Sequence, residues 1–346
     1  MSLVDIQIGQ MLMVGFRGLA VDEFSPIIRA IRQQHLGGVI LFDYDCAAKS
    51  PARNIESPEQ VKRLVHALQA AADSPLLIAI DQEGGRVNRL KERFGFPPTI
   101  SAQELGRRDD PEFTCQQAEI TAQCLREAGI NLNLAPVVDL NRNPESPAIG
   151  KVERSFSAQP ERVLAHARAW IDAHHAQHVG CALKHFPGHG SARADSHLGF
   201  VDVTETWSPD ELLPFHALIR ERRCDVVMTA HIFHGGLDAE RPATLSRRVL
   251  TGMLREQLGF DGVIMSDDMQ MQAIAAQYDL ETALFEAVSA GVDVLVFGNN
   301  LTIYDEEIAS RAAAILRALV ERGRLSFDRI EASSRRIGRL KQAYSR

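Results

Sequence analysis

Two stretches of the chain concentrate residues able to do chemistry. Lys184-His185-Phe186-Pro187-Gly188-His189-Gly190 sets a lysine, two histidines and two glycines directly after an apolar run, and Asp195-Ser196-His197 follows it. In an extended segment residues i and i+2 point the same way, so Asp195 can orient and charge-stabilise the His197 imidazole. A positioned Asp–His pair suits general acid/base work near neutral pH. Farther along, Ile264-Met265-Ser266-Asp267-Asp268-Met269 ends an apolar run in two carboxylates with no lysine or arginine beside them. Such a carboxylate is suited to act as a nucleophile or a ligand. An aspartate after a strand can equally cap a helix, and spacing alone does not choose between Asp267 and Asp268.

Two further segments supply candidates for binding. Asp81, Glu83, Arg86 and Arg89 lie in one, Glu153 and Arg154 in the other. Charged side chains at a rim bind hydroxyls or carboxylates through charge-assisted hydrogen bonds, or they pair with one another. A zinc site built from His185, His189, His197, His231 and His234 is a competing reading. No metal is expected, because there is no H-E-x-x-H helix and no cysteine at ligand spacing.

These residues need elements to position them. Short, nearly continuous apolar runs occur at 11–16, 38–42, 76–81, 131–139, 181–185, 225–230, 262–267 and 292–297, as expected of parallel strands covered on both faces. Helix openings lie between them: Ser57-Pro58-Glu59-Gln60 and Ser208-Pro209-Asp210-Glu211 each set an N-cap serine before an N1 proline. A helix from Pro160 puts Val163, Ala167, Trp170, Ile171 and His174 on one side, which makes His174 a core or rim histidine. Eight alternations of strand and helix predict an α/β fold, a single (β/α)8 TIM barrel with long βα loops. One catalytic domain over 1–346 is expected. Asp81, Lys184, His185, His231 and Asp267 all fall at C-terminal strand ends, where the active sites of such barrels lie.

Composition bounds the remaining possibilities. The 346 residues are 45% hydrophobic and 24% charged, enough for a large core, and the net charge of −7 makes nucleic acid a poor partner. The basic stretch 311–346 reads as a solvated helix face. No glycine-rich dinucleotide fingerprint or P-loop occurs. Five cysteines without a C-x-x-C pair argue against a disulfide framework, and no targeting or membrane-spanning segment is read. A monomer in the cytoplasm, without membrane contact or cofactor, is the expectation.

Taken in order, DQEGGRV, the IG…RSF segment, KHFPGHG with DSH downstream, and GFDGVIMSDDM resemble glycoside hydrolase family 3. The resemblance covers about residues 5 to 340 and is greatest to its bacterial single-domain β-N-acetylglucosaminidases of peptidoglycan recycling. It implies that Asp267 is the catalytic nucleophile, that His197 is the proton donor and acceptor, tuned by Asp195, and that Asp81, Arg89, Arg154, Lys184 and His185 hold a terminal N-acetylglucosamine. Two departures stand out: Gln270 where the signature ends in a small or polar residue, and Lys151-Val152-Glu153 lengthening the IG-x-RSF form. The implied reaction releases N-acetylglucosamine (GlcNAc) from muropeptide fragments, GlcNAc-1,6-anhydro-N-acetylmuramic acid with or without peptide, through a glycosyl-enzyme. A phosphorylase with the same Asp/His pair and a non-catalytic sugar-binding barrel are the alternatives.

Overall fold

The structure is a computed structural model that describes residues 2–301 and 303–344. Eight parallel strands close into a barrel in sequence order: β1 Leu12–Gly15, β2 Gly38–Leu41, β3 Leu77–Ile80, β4 Leu132–Asn133, β5 Gly180–Phe186, β6 Val226–Thr229, β7 Val263–Asp268 and β8 Val294–Phe297. β8 returns to β1 through the pairs Leu12–Leu295, Met13–Val296 and Val14–Phe297. Every strand residue is buried except Asp267 and Asp268, the last two of β7, so the unbroken apolar runs reflect walls covered on both sides.

Each expected strand is present, with one marked contraction. The 131–139 run contributes only Leu132–Asn133 to the ladder. Pro136 has no N–H to donate, and the chain on either side of it joins β5 by isolated bonds: the Ala182 N–H donates to the Ala135 carbonyl (3.2 Å) and the Val138 N–H to the Lys184 carbonyl (2.9 Å).

Among the helices, Pro58–Ala70 opens as its sequence predicts. Ser57 Oγ accepts the Gln60 N–H at 3.2 Å, and Val61, Leu64, Val65 and Leu68 are buried against the barrel. The helix Pro160–Ala176 buries all five residues expected on its inner side. The Ser208 opening differs. It makes no side-chain cap and leads into a 3-10 turn, Pro209–Leu212, before a helix at Leu213–Arg220. Pro214 has no N–H for an α-helical bond to the Asp210 carbonyl, so the regular helix begins only beyond the turn.

The basic C-terminus is also only partly a solvated face. From the helix Phe327–Tyr344, Arg329 and Arg336 turn inward to Asp293, a fully buried carboxylate just before β8 that also accepts from Arg255 and from Ser333 Oγ (2.8 Å). A cavity of about 1210 Å³ lies at this lower end beside Asn131, His178 and Tyr344 and away from the strand ends that carry the candidate residues. None of the helices is long and apolar enough to cross a membrane among the described residues.

Candidate active site

At the C-terminal end of the barrel, adjacent strands deliver an alternating chain of charge. Lys184 Nζ donates to Asp81 Oδ1 at 2.8 Å and lies 2.6 Å from Glu83 Oε1. Arg154 binds Glu83 in a two-pronged contact (2.8 and 2.7 Å), and its Nη2 also reaches His185 Nε2 at 3.1 Å. Since a guanidinium only donates, His185 Nε2 must accept, and its Nδ1–H therefore donates to Asp139 Oδ2 at 2.7 Å. Arg89 closes the chain on Asp81 at 3.5 Å. Its backbone is fixed by Gln82 Oε1, which accepts the N–H of both Arg89 and Leu90 at 3.0 Å.

All five expected sugar-binding residues, Asp81, Arg89, Arg154, Lys184 and His185, thus form one cluster, the four charged ones ion-paired within it and His185 hydrogen-bonded between Arg154 and Asp139. Burial disfavours the charged form of Asp81, but Lys184 and Arg89 overcome it and hold the carboxyl far below its ordinary value. Glu83 is likewise kept ionised against burial by Arg154 and Lys184. Arg86 stands apart on the surface, 4.0 Å from Glu153.

The two carboxylates at the end of β7 have different settings. Asp268 is tied down: its Oδ1 accepts the Gln270 N–H at 3.0 Å, a Cβ on Gly298 would lie 2.5 Å from its Oδ2, and burial with the neighbouring Asp267 charge pushes its pKa up to about 6. Asp267 accepts the Asp268 N–H at 2.8 Å. Burial opposes its charge, yet the imidazoles of His231, His185 and His197, with that N–H, hold its pKa below the ordinary carboxylate value. Asp267 is therefore the stronger acid of the pair and the first to ionise as pH rises. His231 steadies it indirectly, its Nε2–H donating to the Asp268 carbonyl at 3.0 Å.

The segment after β5 brings in the imidazole. His197 Nδ1 and its backbone N–H both lie 2.9 Å from Asp195 Oδ1, the orientation expected from the i, i+2 spacing. Burial lowers the His197 pKa, but the Asp195 hydrogen bond and the Asp267 charge outweigh it and raise it above the usual imidazole value. Asp195 itself falls to about 2. The His197 side chain is half exposed at the mouth, free to meet an incoming group.

His189, His174 and His234 have structural partners. His189 is buried, 3.3 Å from Ser196 Oγ, and burial with the nearby His185 drops its pKa to about 4. His174 donates to the Trp170 carbonyl and accepts from Asn133 Nδ2, a satisfied core histidine. His234 packs edge-on against Trp207. No three His, Cys, Asp or Glu side chains are grouped to hold a metal ion among the described residues.

Sequence reasoning missed Asp139. This fully buried carboxylate accepts the backbone N–H of His185 (3.1 Å) and of His189 (2.8 Å) besides the His185 ring, so it fixes the exit of β5. Its signature, a carboxylate ending an apolar run, is also the one that drew attention to Asp267 and Asp268.

The model of the glycosyl hydrolase family 3 N-terminal domain matches residues 3–340. The chain belongs to this family. A β-hexosaminidase of Tolumonas auensis is 37% identical over 292 residues, covering 84% of this chain and 83% of its own. The family 3 β-N-acetylglucosaminidase structure from Paenibacillus superposes with a TM-score of 0.89 at 36% identity; it matches the whole of this chain, which spans 63% of that longer enzyme. The β-N-acetylhexosaminidase of Beutenbergia cavernae gives 0.87 at 28% identity, with 99% of each chain covered. The chain is thus a glycoside hydrolase of the β-N-acetylhexosaminidase type.

Proposed function

We propose that the chain is a retaining exo-β-N-acetylglucosaminidase, working as one catalytic domain. Asp267 attacks the anomeric carbon to form a glycosyl-enzyme while His197, protonated and oriented by Asp195, gives its proton to the departing oxygen. The neutral imidazole then takes a proton from the water that releases the sugar. Asp81, Arg89, Arg154, Lys184 and His185 hold the terminal N-acetylglucosamine through hydrogen-bonding capacity left over from their ion pairs. The observation that carries this reading is the meeting, at one barrel mouth, of an ionised Asp267 with an Asp195-supported imidazole whose pKa the Asp267 charge helps to raise.

The substrate we infer is a muropeptide fragment, GlcNAc-1,6-anhydro-N-acetylmuramic acid with or without its stem peptide, met by a monomeric enzyme in cytoplasmic cell-wall recycling. Arg154 and Lys184 are both engaged by carboxylates, which favours water over phosphate as the second nucleophile. Steady-state rates on β-N-acetylglucosaminide, β-glucoside and β-xyloside test the sugar assignment, with only the first expected to turn over well; comparable rates on all three would overturn it. Running the reaction in phosphate buffer should give free sugar, and accumulation of N-acetylglucosamine 1-phosphate would establish phosphorolysis instead.

A further inference from the structure

The reading of His197 as acid/base places the reacting imidazole on the segment between β5 and the 3-10 turn Pro209–Leu212, and the root of that segment is gripped from below by a buried acid. Glu211, in the turn, is completely buried. Its Oε2 accepts the Gly190 N–H at 3.1 Å, one residue after Asp139 accepts the His189 N–H. Two carboxylates therefore hold consecutive amides.

The glycines of the motif make this approach possible. A Cβ on Gly188, whose φ is +121°, would lie 2.6 Å from Glu211 Cβ, and one on Gly190 would lie 1.7 Å from the Leu140 carbonyl oxygen. Trp207, four residues before Glu211, adds a third anchor: its Nε1–H donates to the Pro187 carbonyl at 3.1 Å. The hold continues to Ala192, which is buried and whose carbonyl accepts from Asn143 Nδ2 at 3.0 Å. The Ser191 hydroxyl lies beside the Glu211 carboxyl without closing a well-aligned hydrogen bond, and Glu211 Oε1 has no partner.

We propose that Glu211 is a positioning residue for the reaction: it fixes the root of the loop at Gly190, so that the segment beyond Ala192 leaves from a defined point and presents His197 to the leaving oxygen. The proposal rests on His197 acting as the acid. The Glu211 carboxyl is buried beside Asp139, accepting the Gly190 amide with the Ser191 hydroxyl close by, and burial pushes its pKa up to about 7. Either protonation state retains an acceptor oxygen for the Gly190 amide.

The test compares wild type with Glu211→Ala, Glu211→Asp, Glu211→Gln and His197→Ala on two β-N-acetylglucosaminides, one with a nitrophenol leaving group and one with an alkyl alcohol that must be protonated to depart. Glutamine keeps the acceptor at the same reach, so Glu211→Gln should stay within a few-fold of wild type on both. Aspartate is one methylene short. Glu211→Asp and Glu211→Ala should lose about 10- to 100-fold in kcat/KM on the alkyl glycoside while losing far less on the aryl one, with the loss in kcat more than in KM. Should the alanine variant fail to fold, the aspartate variant carries the comparison. If His197→Ala shows the leaving-group bias but Glu211→Asp loses equally on both substrates, or not at all, the positioning role is wrong. If His197→Ala itself shows no bias, it is the acid assignment that fails.

Discussion

At the scale of single residues, the site separates two adjacent aspartates by their surroundings. Asp268 is committed to the Gln270 N–H and packed on Gly298, whereas Asp267 is held ionised beside three imidazoles. Replacing Asp267 by asparagine should leave the fold intact and cut turnover on the order of 10⁴-fold, the scale seen when one member of a catalytic unit is lost; near-normal kcat in a folded Asp267→Asn protein would remove the nucleophile. The acid makes a pH-dependent claim. The His197 pKa is raised, so its protonated form persists to higher pH than a free imidazole and kcat/KM should fall as pH climbs through that raised value. Asp195, at about 2, stays charged throughout that range. Asp195→Asn removes the charge, and the alkaline limb of the pH–rate profile should move to lower pH. An unmoved limb would show that Asp195 does not tune His197.

The elements explain how much of this was legible in the sequence. Unbroken apolar runs marked all eight strands, because a parallel wall buried on both faces leaves no alternation to misread. The Asp195–His197 pair was legible because its contact is local and needs only two residues of spacing. What stayed hidden was long-range. That Arg154 pairs with Glu83, 71 positions away, depends on strands three and four, from whose ends their two loops leave, being neighbours in the barrel. The contraction of that fourth strand, at Pro136, was itself written in the chain but outweighed by the apolar character around it. Glu211 was visible only as an N-terminal acid of a helix, since its real contact is to a glycine amide 21 residues earlier. At this scale Gly190→Ala is informative: a methyl group 1.7 Å from the Leu140 carbonyl must displace backbone, so destabilisation of at least about 1–3 kcal/mol is expected by urea denaturation. An unchanged midpoint would mean that the loop root is more pliable than its packing implies.

For the whole molecule, the two ends of the barrel divide the labour. The lower end stabilises the fold: Asp293 gathers Arg255, Arg329 and Arg336 and so ties β8 to the final helix. Asp293→Asn leaves buried guanidinium groups short of their counter-charge and should cost about 3–5 kcal/mol of unfolding free energy, with kcat per folded molecule unaltered. A parallel fall in kcat would mean that the lower end communicates with the mouth. The upper end was assembled from matched opposites: Arg89, Asp81, Lys184, Glu83, Arg154 and, through His185, Asp139. If this lattice holds the sugar as proposed, it is already neutralised by its own members and offers an uncharged pyranose fixed dipoles instead of a net field. Recognition should then be almost indifferent to ionic strength, and raising sodium chloride several-fold should leave the Michaelis constant for a neutral glycoside nearly where it was.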